Sequence, residues 1–269
     1  MQVPEENGNS AQRPDTVSAL ERGVAVLRCF TETRRVLTST ELSKLTGVPR
    51  PTVTRLASTL VTLGLLQQEP EGDRYMLGPG VVSLARVFLA GLDVRAIARP
   101  HMQALAEAVG GSVYLGVPDG LDIVLIEACR PRSTMLAPRL DVGSRVPMAN
   151  SALGRAYLWA LPREERQAMI ESLRLSRGSD WASLEGGLNR ALGEADRLGY
   201  CISAGDFHRE INSVSVPLVG PNGEIMSLNC GTAAFIYTEE HLRQVIAPQL
   251  AQMAEALAKD LGGHVPKPT

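Results

Sequence analysis

The segment from Arg50 to Leu63 constrains the fold of this 269-residue chain more than any other stretch. At 100° per residue its apolar side chains fall on one side of a helix, and hydroxyl and guanidinium groups fall on the other. The apolar side comprises Val53, Leu56, Ala57, Leu60 and Leu63; the opposite side comprises Thr54, Arg55, Ser58 and Thr62. Pro51 suits a first helical turn, and Gly64 supplies a left-handed end. The segment is therefore predicted to be an amphipathic helix with one buried side.

Capping signals and turn residues surround this helix. Ser18 with Glu21, and Thr38 with Glu41, fit the capping box that begins a helix. Helices are expected over 18–32, 39–46 and 51–63, and strands over 65–69 and 74–77, joined by the turn at 70–73. Three helices followed by a hairpin predict a winged helix-turn-helix domain over residues 16–78.

The remainder of the chain reads as a linker helix and a second domain. An apolar stripe of Val81, Leu84, Ala85, Phe88 and Leu89 predicts the linker helix within 79–92. Asp93 is expected to cap the next helix. Helices are then expected over 93–109, 151–160, 163–175, 183–198 and 242–261, and strands over 112–117, 122–128, 200–205, 212–219 and 224–231. This order predicts an α+β domain over 93–265 with an antiparallel sheet.

Charge and composition limit the partners and the location. The net charge of the chain is −2, so any affinity for nucleic acid has to come from a local patch. Between Arg34 and Leu66 there are five basic residues and one acidic residue, Glu41, which is a local excess of +4. Residues 1–15 are polar and acidic, which predicts a disordered lead-in. No apolar run approaches the ~18 residues that would span a bilayer, so the cytoplasm is the expected location and no membrane partner is expected.

The basic excess coincides with the exposed side of the predicted third helix, which indicates binding to double-stranded DNA. Arginine can pair with guanine, and hydroxyls suit phosphates or thymine methyl groups. The residues expected to enter the groove are Arg50, Thr52, Thr54, Arg55 and Ser58. Those expected nearer the DNA backbone are Arg34, Arg35, Ser39, Lys44 and Arg74.

Several stretches together resemble the IclR family of transcriptional regulators. They are SALERGVAVLRCF, TSTELSKLTGVPRPTVTRLASTLVTLGLL, GDRYMLGPGVVSLA, VGSRVPMANSALGRAYLWALP and EINSVSVPLVGPNGEIMSLNCG, which together span nearly the whole chain from about residue 17. The resemblance implies a GAF-like domain that binds a small-molecule effector. It also implies a homodimer or a dimer of dimers on an inverted-repeat operator. Repression is the expected outcome, and activation, which is common in the resembling family, is the alternative.

The resemblance further implies an effector site at the start of the helix in PMANSALGRA. Ser151 begins that helix, and the N–H groups of Ala152, Leu153 and Gly154 would be free to bind the expected effector, a small organic or aromatic carboxylate. The other implied walls are Asp206, Ser213 and Cys230. Arg155 stands where the family usually has lysine.

The catalytic and metal-binding residue types in the sequence do not occur in patterns typical of an enzyme or a metal site. Ser151, His208 and Asp206 lack any spacing typical of a catalytic triad, so no enzyme is expected. The four histidines show no HxxxH pairing, and the four cysteines show no paired spacing, so neither a metal nor another cofactor is expected. The cysteines are expected to be buried thiols. A C-terminal domain that only oligomerises stays an alternative to one that binds an effector.

Overall fold

The computed structural model describes residues 16–70, 72–132 and 140–268. It divides into two compact units, Met1–Gly91 and Leu92–Thr269. The predicted lead-in at 1–15 lies outside the described residues. Within the described part of the chain, none of the helices combines the length and the apolar character needed to cross a bilayer.

The described residues of the first unit form four helices and a small sheet. In chain order the elements are α1 (Ser18–Arg28), β1 (Leu37–Thr38), α2 (Ser39–Thr46), α3 (Arg50–Thr62), β2 (Leu66–Gln68), β3 (Arg74–Leu77) and α4 (Gly80–Ala90). The antiparallel sheet has the order β1-β3-β2. The expected series of three helices and a hairpin is confirmed, and β1, which the sequence did not predict, adds a third strand.

A compact apolar core fixes the angle between these helices. Val53 and Ala57 on α3 are fully buried and pack in one cluster with Leu42 on α2 and Tyr75 on β3. The start of α2 is defined locally, because Thr38 and Glu41 form the predicted capping box.

Three local expectations for this unit are wrong. Helix α1 ends at Arg28 rather than residue 32, and its N-cap is Val17, so Ser18 forms no cap. Leu63 is 64% exposed, because it lies at the C-cap, where the chain turns away through the left-handed Gly64 (φ 71°). The spacing of 100° per residue, which placed Leu63 on the buried side, does not apply to a residue beyond the end of the helix.

The second unit is an α+β domain, as predicted. Its elements are α5 (Asp93–Val109), β4 (Ser112–Asp119), β5 (Asp122–Cys129), β6 (Arg145–Pro147), α6 (Ala152–Ala160), α7 (Arg163–Arg177), α8 (Trp181–Leu198), β7 (Cys201–Ala204), β8 (Ile211–Val219), β9 (Ile225–Ala233), α9 (Glu239–His241) and α10 (Ala247–Leu261). The antiparallel sheet has the order β6-β5-β4-β9-β8-β7.

Helices cover both faces of this sheet. Helices α6 and α8 pack on one face, where Tyr114, Leu153 and Leu188 belong to one buried cluster. Helices α5 and α10 pack together and contact β4, β5, β8 and β9. The central strands are consequently buried on both sides, which hides the alternation expected of a half-exposed antiparallel strand.

Some boundaries differ from the sequence expectation. Asp93 lies in the first turn of α5 rather than at its cap, which is Leu92. The helix at the C-terminal end is interrupted, since a π-helical turn at Leu242–Ile246 separates α9 from α10. Strand β6 was not predicted, because it has only three residues.

Candidate functional site

The exposed side of α3 carries an unengaged cation at its centre. Arg55 is exposed, and its guanidinium makes no hydrogen bond or ion pair with any described residue. Thr54 and Ser58 beside it are exposed as well, and the first turn of α3 contains no acidic residue. The hydroxyl of Thr54 donates to the carbonyl of Arg50 at 3.1 Å, which orients it along the helix. This surface can therefore meet a polyanion without losing an internal ion pair.

A polar network that was not predicted from the sequence fastens the start of α3 to the wing, which is the hairpin of β2 and β3 with the turn between them. Arg50 donates from Nε to Ser39 Oγ and from Nη2 to Asp73 Oδ2, each at 2.9 Å. The hydroxyl of Ser39 donates to the same carboxylate oxygen at 2.5 Å. The hydrogen bond from Ser39, followed by that from Arg50, lowers the pKa of Asp73.

Because of this network, Ser39 does not fit its predicted role as a DNA contact, and Arg50 is only partly free for such a role. Ser39 is fully buried, and its hydroxyl is occupied by Asp73 and Arg50, so in this structure it is not available to DNA. The side chain of Arg50 is 60% exposed but is held by Asp73. No sequence pattern marks Asp73, because it lies 23 residues from Arg50 in the wing turn.

The remaining predicted DNA contacts lie on the surface of the same unit. Thr52 in the first turn of α3 is half-buried. The exposed cations elsewhere are Arg34 and Arg35 before β1, Lys44 on α2 and Arg74 on β3.

In the second unit, the start of α6 is rigidly built. Ser151 is the N-cap; its hydroxyl accepts from the N–H of Gly154 at 3.0 Å and donates to the carbonyl of Pro147 at 2.6 Å. Gly154 is therefore not a free donor, contrary to the prediction. The N–H groups of Ala152 and Leu153 have no acceptor among the described residues, although both residues are at most 3% exposed. Two buried donors thus remain at the positive end of the helix.

A small cavity lies between the start of α6 and the sheet. Its volume is about 20 Å³, room for about one water molecule. The lining residues are Tyr114, Leu140, Val146, Ser151, Ala152, Leu153, Phe207, Ile211, Ser213, Asn229 and Gly231. Four predicted residues, Ser151, Ala152, Leu153 and Ser213, therefore come together here.

Two other predicted wall residues lie elsewhere. Cys230 pairs with Val113 and Val214, whereas its neighbours Asn229 and Gly231 line the cavity, so its side chain points to the opposite face of the sheet. Asp206 turns away from the cavity and contacts Nη1 of the buried Arg155 at 2.6 Å.

Arg155 and Asp206 line a separate polar cavity of about 140 Å³. Its walls also carry Arg190, Glu194, Glu239 and Arg243. Because Arg243 pairs with both Glu194 and Glu239, and Arg155 pairs with Asp206, most of the charge in this cavity is internally balanced.

Three polar or aromatic walls of the smaller cavity were not predicted from the sequence: Tyr114, Phe207 and Asn229. Tyr114 is buried, which raises the pKa of its phenol, while the hydroxyl of Ser112 and the guanidinium of Arg130 lower it. Asn229 donates to Ser215 Oγ at 2.8 Å and to the carbonyl of Val214 at 3.1 Å. An asparagine within an apolar strand was the available signal for this site.

All four cysteines are buried and free, as predicted. Burial raises the pKa of Cys201 and of Cys230 to about 12, so these thiols are uncharged near neutral pH.

Both units match models of known families. Residues 19–70 match the IclR helix-turn-helix domain, and residues 87–259 match the bacterial transcriptional regulator IclR C-terminal domain. The second match alone covers more than half of the chain.

Individual relatives agree with the family models. The chain is 38% identical over 204 residues to the HTH-type transcriptional regulator TsaQ1/TsaQ2 of Comamonas testosteroni, covering 76% of this chain and 73% of that protein. A crystal structure of an IclR family transcriptional regulator from Brucella abortus matches with a TM-score of 0.86 and 38% identity over 95% of this chain and 96% of that one.

A more distant structure carries a ligand. It is an IclR homolog from Microbacterium hydrocarbonoxydans complexed with 4-hydroxybenzoate, with a TM-score of 0.69 and 22% identity over 91% of this chain and 99% of that one. At this identity the likeness concerns the fold alone. The two family models describe domains of transcriptional regulators, and both relatives with 38% identity are transcriptional regulators rather than enzymes. The chain belongs to the IclR family of bacterial transcriptional regulators.

Proposed function

We propose that this regulator recognises an inverted-repeat operator by laying α3 of each protomer in the major groove. The observation that carries the proposal is the unengaged guanidinium of Arg55 on an exposed, carboxylate-free side of α3. Arg55, Thr54 and Ser58 contact base edges, and the surrounding cations contact phosphates. Arg50 acts mainly by fastening α3 to the wing.

A homodimer supplies the two copies of α3 that an inverted repeat requires. Helix α4 supports this assembly, because none of its eleven residues is buried by the described residues of its own unit, although most are apolar. Leu84 and Phe88, one turn apart, are 63% and 53% exposed. A dimer of dimers would use a further surface of the second unit.

The second unit binds a small organic or aromatic carboxylate in the cavity beneath α6. The free N–H groups of Ala152 and Leu153 suit a carboxylate at the positive end of a helix, while Tyr114 and Val146 suit an apolar or aromatic body. The IclR homolog that binds 4-hydroxybenzoate supports this class of ligand.

Effector binding changes the affinity for the operator, and the protein acts in the cytoplasm as a repressor. The effector achieves this only if it binds the DNA-competent and DNA-incompetent states with different affinities.

One experiment tests both halves of the proposal. Wild-type protein is used to select a duplex from a random pool, and its affinity for that duplex is measured with and without benzoate and 4-hydroxybenzoate. Arg55→Ala should weaken binding at least tenfold, because each protomer of the dimer loses a bidentate contact to a base that contributes about 1–3 kcal/mol. The same variant should keep the wild-type rise in melting temperature with each acid.

The control is Arg177→Ala, which removes an arginine at the end of α7 in the other unit. Wild-type affinity in Arg55→Ala would contradict the assignment of α3 to the groove. If no acid alters melting or DNA affinity, a second unit that only oligomerises becomes the better account.

A further inference from the structure

The cavity beneath α6 must enlarge before it can hold an organic acid, because its volume is only about 20 Å³. The wall formed by α6 cannot yield easily. Ser151 is bonded on both sides, and at Gly154 even an added Cβ would come within 2.1 Å of the Cα of Met148. The start of α6 is therefore in close contact with the backbone that precedes it.

The wall formed by the sheet is equally fixed. Tyr114 is 1% exposed and lies in the centre of the sheet, and Asn229 bridges to β8 through two hydrogen bonds. Val146 in β6 pairs with Ile123 in β5.

Phe207 belongs to neither of these two walls. Its ring is half-buried, and it is carried by the bend between β7 and β8, where Asp206 and His208 on either side of it are exposed. Gly205 at the start of this bend has a φ of 73°, a left-handed conformation that glycine adopts without strain. The ring can therefore leave the cavity with a change in one short turn and no break in the sheet.

Two side chains hold this turn closed. Arg155, which is 3% exposed, contacts the Asp206 carboxylate at 2.6 Å and also donates to the carbonyls of Ala149 and Ile202. Asn150 donates to the carbonyl of Asp206 at 3.2 Å. Both contacts are made by Asp206, the residue immediately before Phe207. Of the two partners, Arg155 is on α6 and Asn150 lies just before it.

We propose that the ring of Phe207 is a gate that fills the effector cavity in the free protein, and that the contact between Arg155 and Asp206 holds the gate shut. The inference rests on the proposed effector site and adds what controls entry to it. Phe207 is displaced by the effector, and Asp206 is a positioning residue that acts through Phe207.

A gate of this kind lowers the apparent affinity for the effector. Only the open fraction of the protein binds, so the measured dissociation constant is the intrinsic constant divided by that fraction. Weakening the contact that holds the gate, or removing the ring, must therefore strengthen binding. A ring that served as a stacking surface for the effector would give the opposite sign when removed.

The first measurement is the affinity of the full-length protein for benzoate and 4-hydroxybenzoate by calorimetry. Phe207→Ala should bind the acids about tenfold more tightly than wild type, and Asp206→Asn should bind them about threefold to tenfold more tightly. Glu210→Gln is the matched control, because it makes the same change of charge in the same bend, and the Glu210 carboxylate has no partner among the described residues. Equal or weaker binding in Phe207→Ala would overturn the gate.

The second measurement needs no ligand, so it separates failure of the gate from failure of the effector proposal. The N–H of Ile211 donates to the carbonyl of His208, and that of Gly205 to the carbonyl of Ile211, which closes the bend. In Asp206→Asn, amide exchange at these two positions should accelerate about tenfold with α6 unchanged, while Glu210→Gln should match wild type. Unchanged exchange in Asp206→Asn overturns the gate whether or not either acid binds.

Discussion

At the scale of single residues, Gly154 shows how closely α6 approaches the chain before it. A Cβ at this position would lie 2.1 Å from the Cα and 2.5 Å from the carbonyl oxygen of Met148, and a backbone cannot move aside as a side chain can. We expect Gly154→Ala to lower the free energy of unfolding of the second unit by about 1–3 kcal/mol, through forced overpacking. Chemical denaturation with fluorescence from Trp159 and Trp181 measures this change.

Gly193→Ala is the matched control for that substitution. Gly193 also lies within a helix, α8, but nothing stands within 4 Å of the Cβ it would gain. The same change should therefore stabilise the unit by about 0.5–1 kcal/mol, the usual helical preference for alanine. Equal effects of the two substitutions would show that the contact with Met148 is unimportant.

At the start of α6, the structure agrees with the sequence expectation where local chemistry determines the geometry. The cap at Ser151 and the free donors at Ala152 and Leu153 follow from the motif at a helix start. Cys230 was misplaced by one position, because β9 is buried on both faces and shows no alternation that reveals which side chains face the cavity. Phe207 could not be found, because its position depends on the partner of Asp206, 51 residues away.

At the scale of elements, the network of Ser39, Arg50 and Asp73 joins the starts of α2 and α3 to the wing. The folded state lowers the pKa of Asp73, so its stabilising effect is fully present above the ordinary aspartate pKa of about 4. That effect is lost as the pH falls through the lower pKa of the folded state. Asp73→Asn should therefore reduce the melting temperature of the first unit at pH 6, and the gap from wild type should narrow progressively as the pH falls below about 4.

Melting of the two proteins by circular dichroism between pH 3 and pH 6 checks this expectation. Glu32→Gln provides the control, since it removes one carboxylate from the same unit, and that side chain makes no ion pair among the described residues. A gap between Asp73→Asn and wild type that stays constant down to pH 3 would rule out the carboxylate as the cause.

The predicted elements were correct where they were long and periodic. Helices α2, α3, α5 and α6, together with the wing strands, agree with the sequence expectation to within one or two residues at nearly every end. The two-residue β1 and the three-residue β6 were missed, because such strands exist only through their pairing with β3 and β5. The π-helical turn at Leu242–Ile246 leaves no mark in the apolar spacing.

At the scale of the whole molecule, the exposed apolar side of α4 is the strongest argument for a homodimer. Leu84 and Phe88 share this side, whereas Ser83 lies roughly 140° away from Phe88 around the helix. In a twofold interface each substitution occurs twice. Since burial of a phenylalanine contributes about 1.5–3 kcal/mol, Phe88→Glu should raise the dimer dissociation constant at least about a hundredfold.

Sedimentation velocity across a range of protein concentrations measures that constant, and Ser83→Glu introduces the same charge on the other side of α4 as the control. Operator affinity should fall together with dimerisation in Phe88→Glu, because a single α3 reads only one half-site. Affinity for the small acids should persist, since the cavity beneath α6 lies within one protomer. If Phe88→Glu stays dimeric at the concentrations at which the wild-type protein is dimeric, the dimer interface lies on another surface. That result would leave the role of Arg55 unchanged.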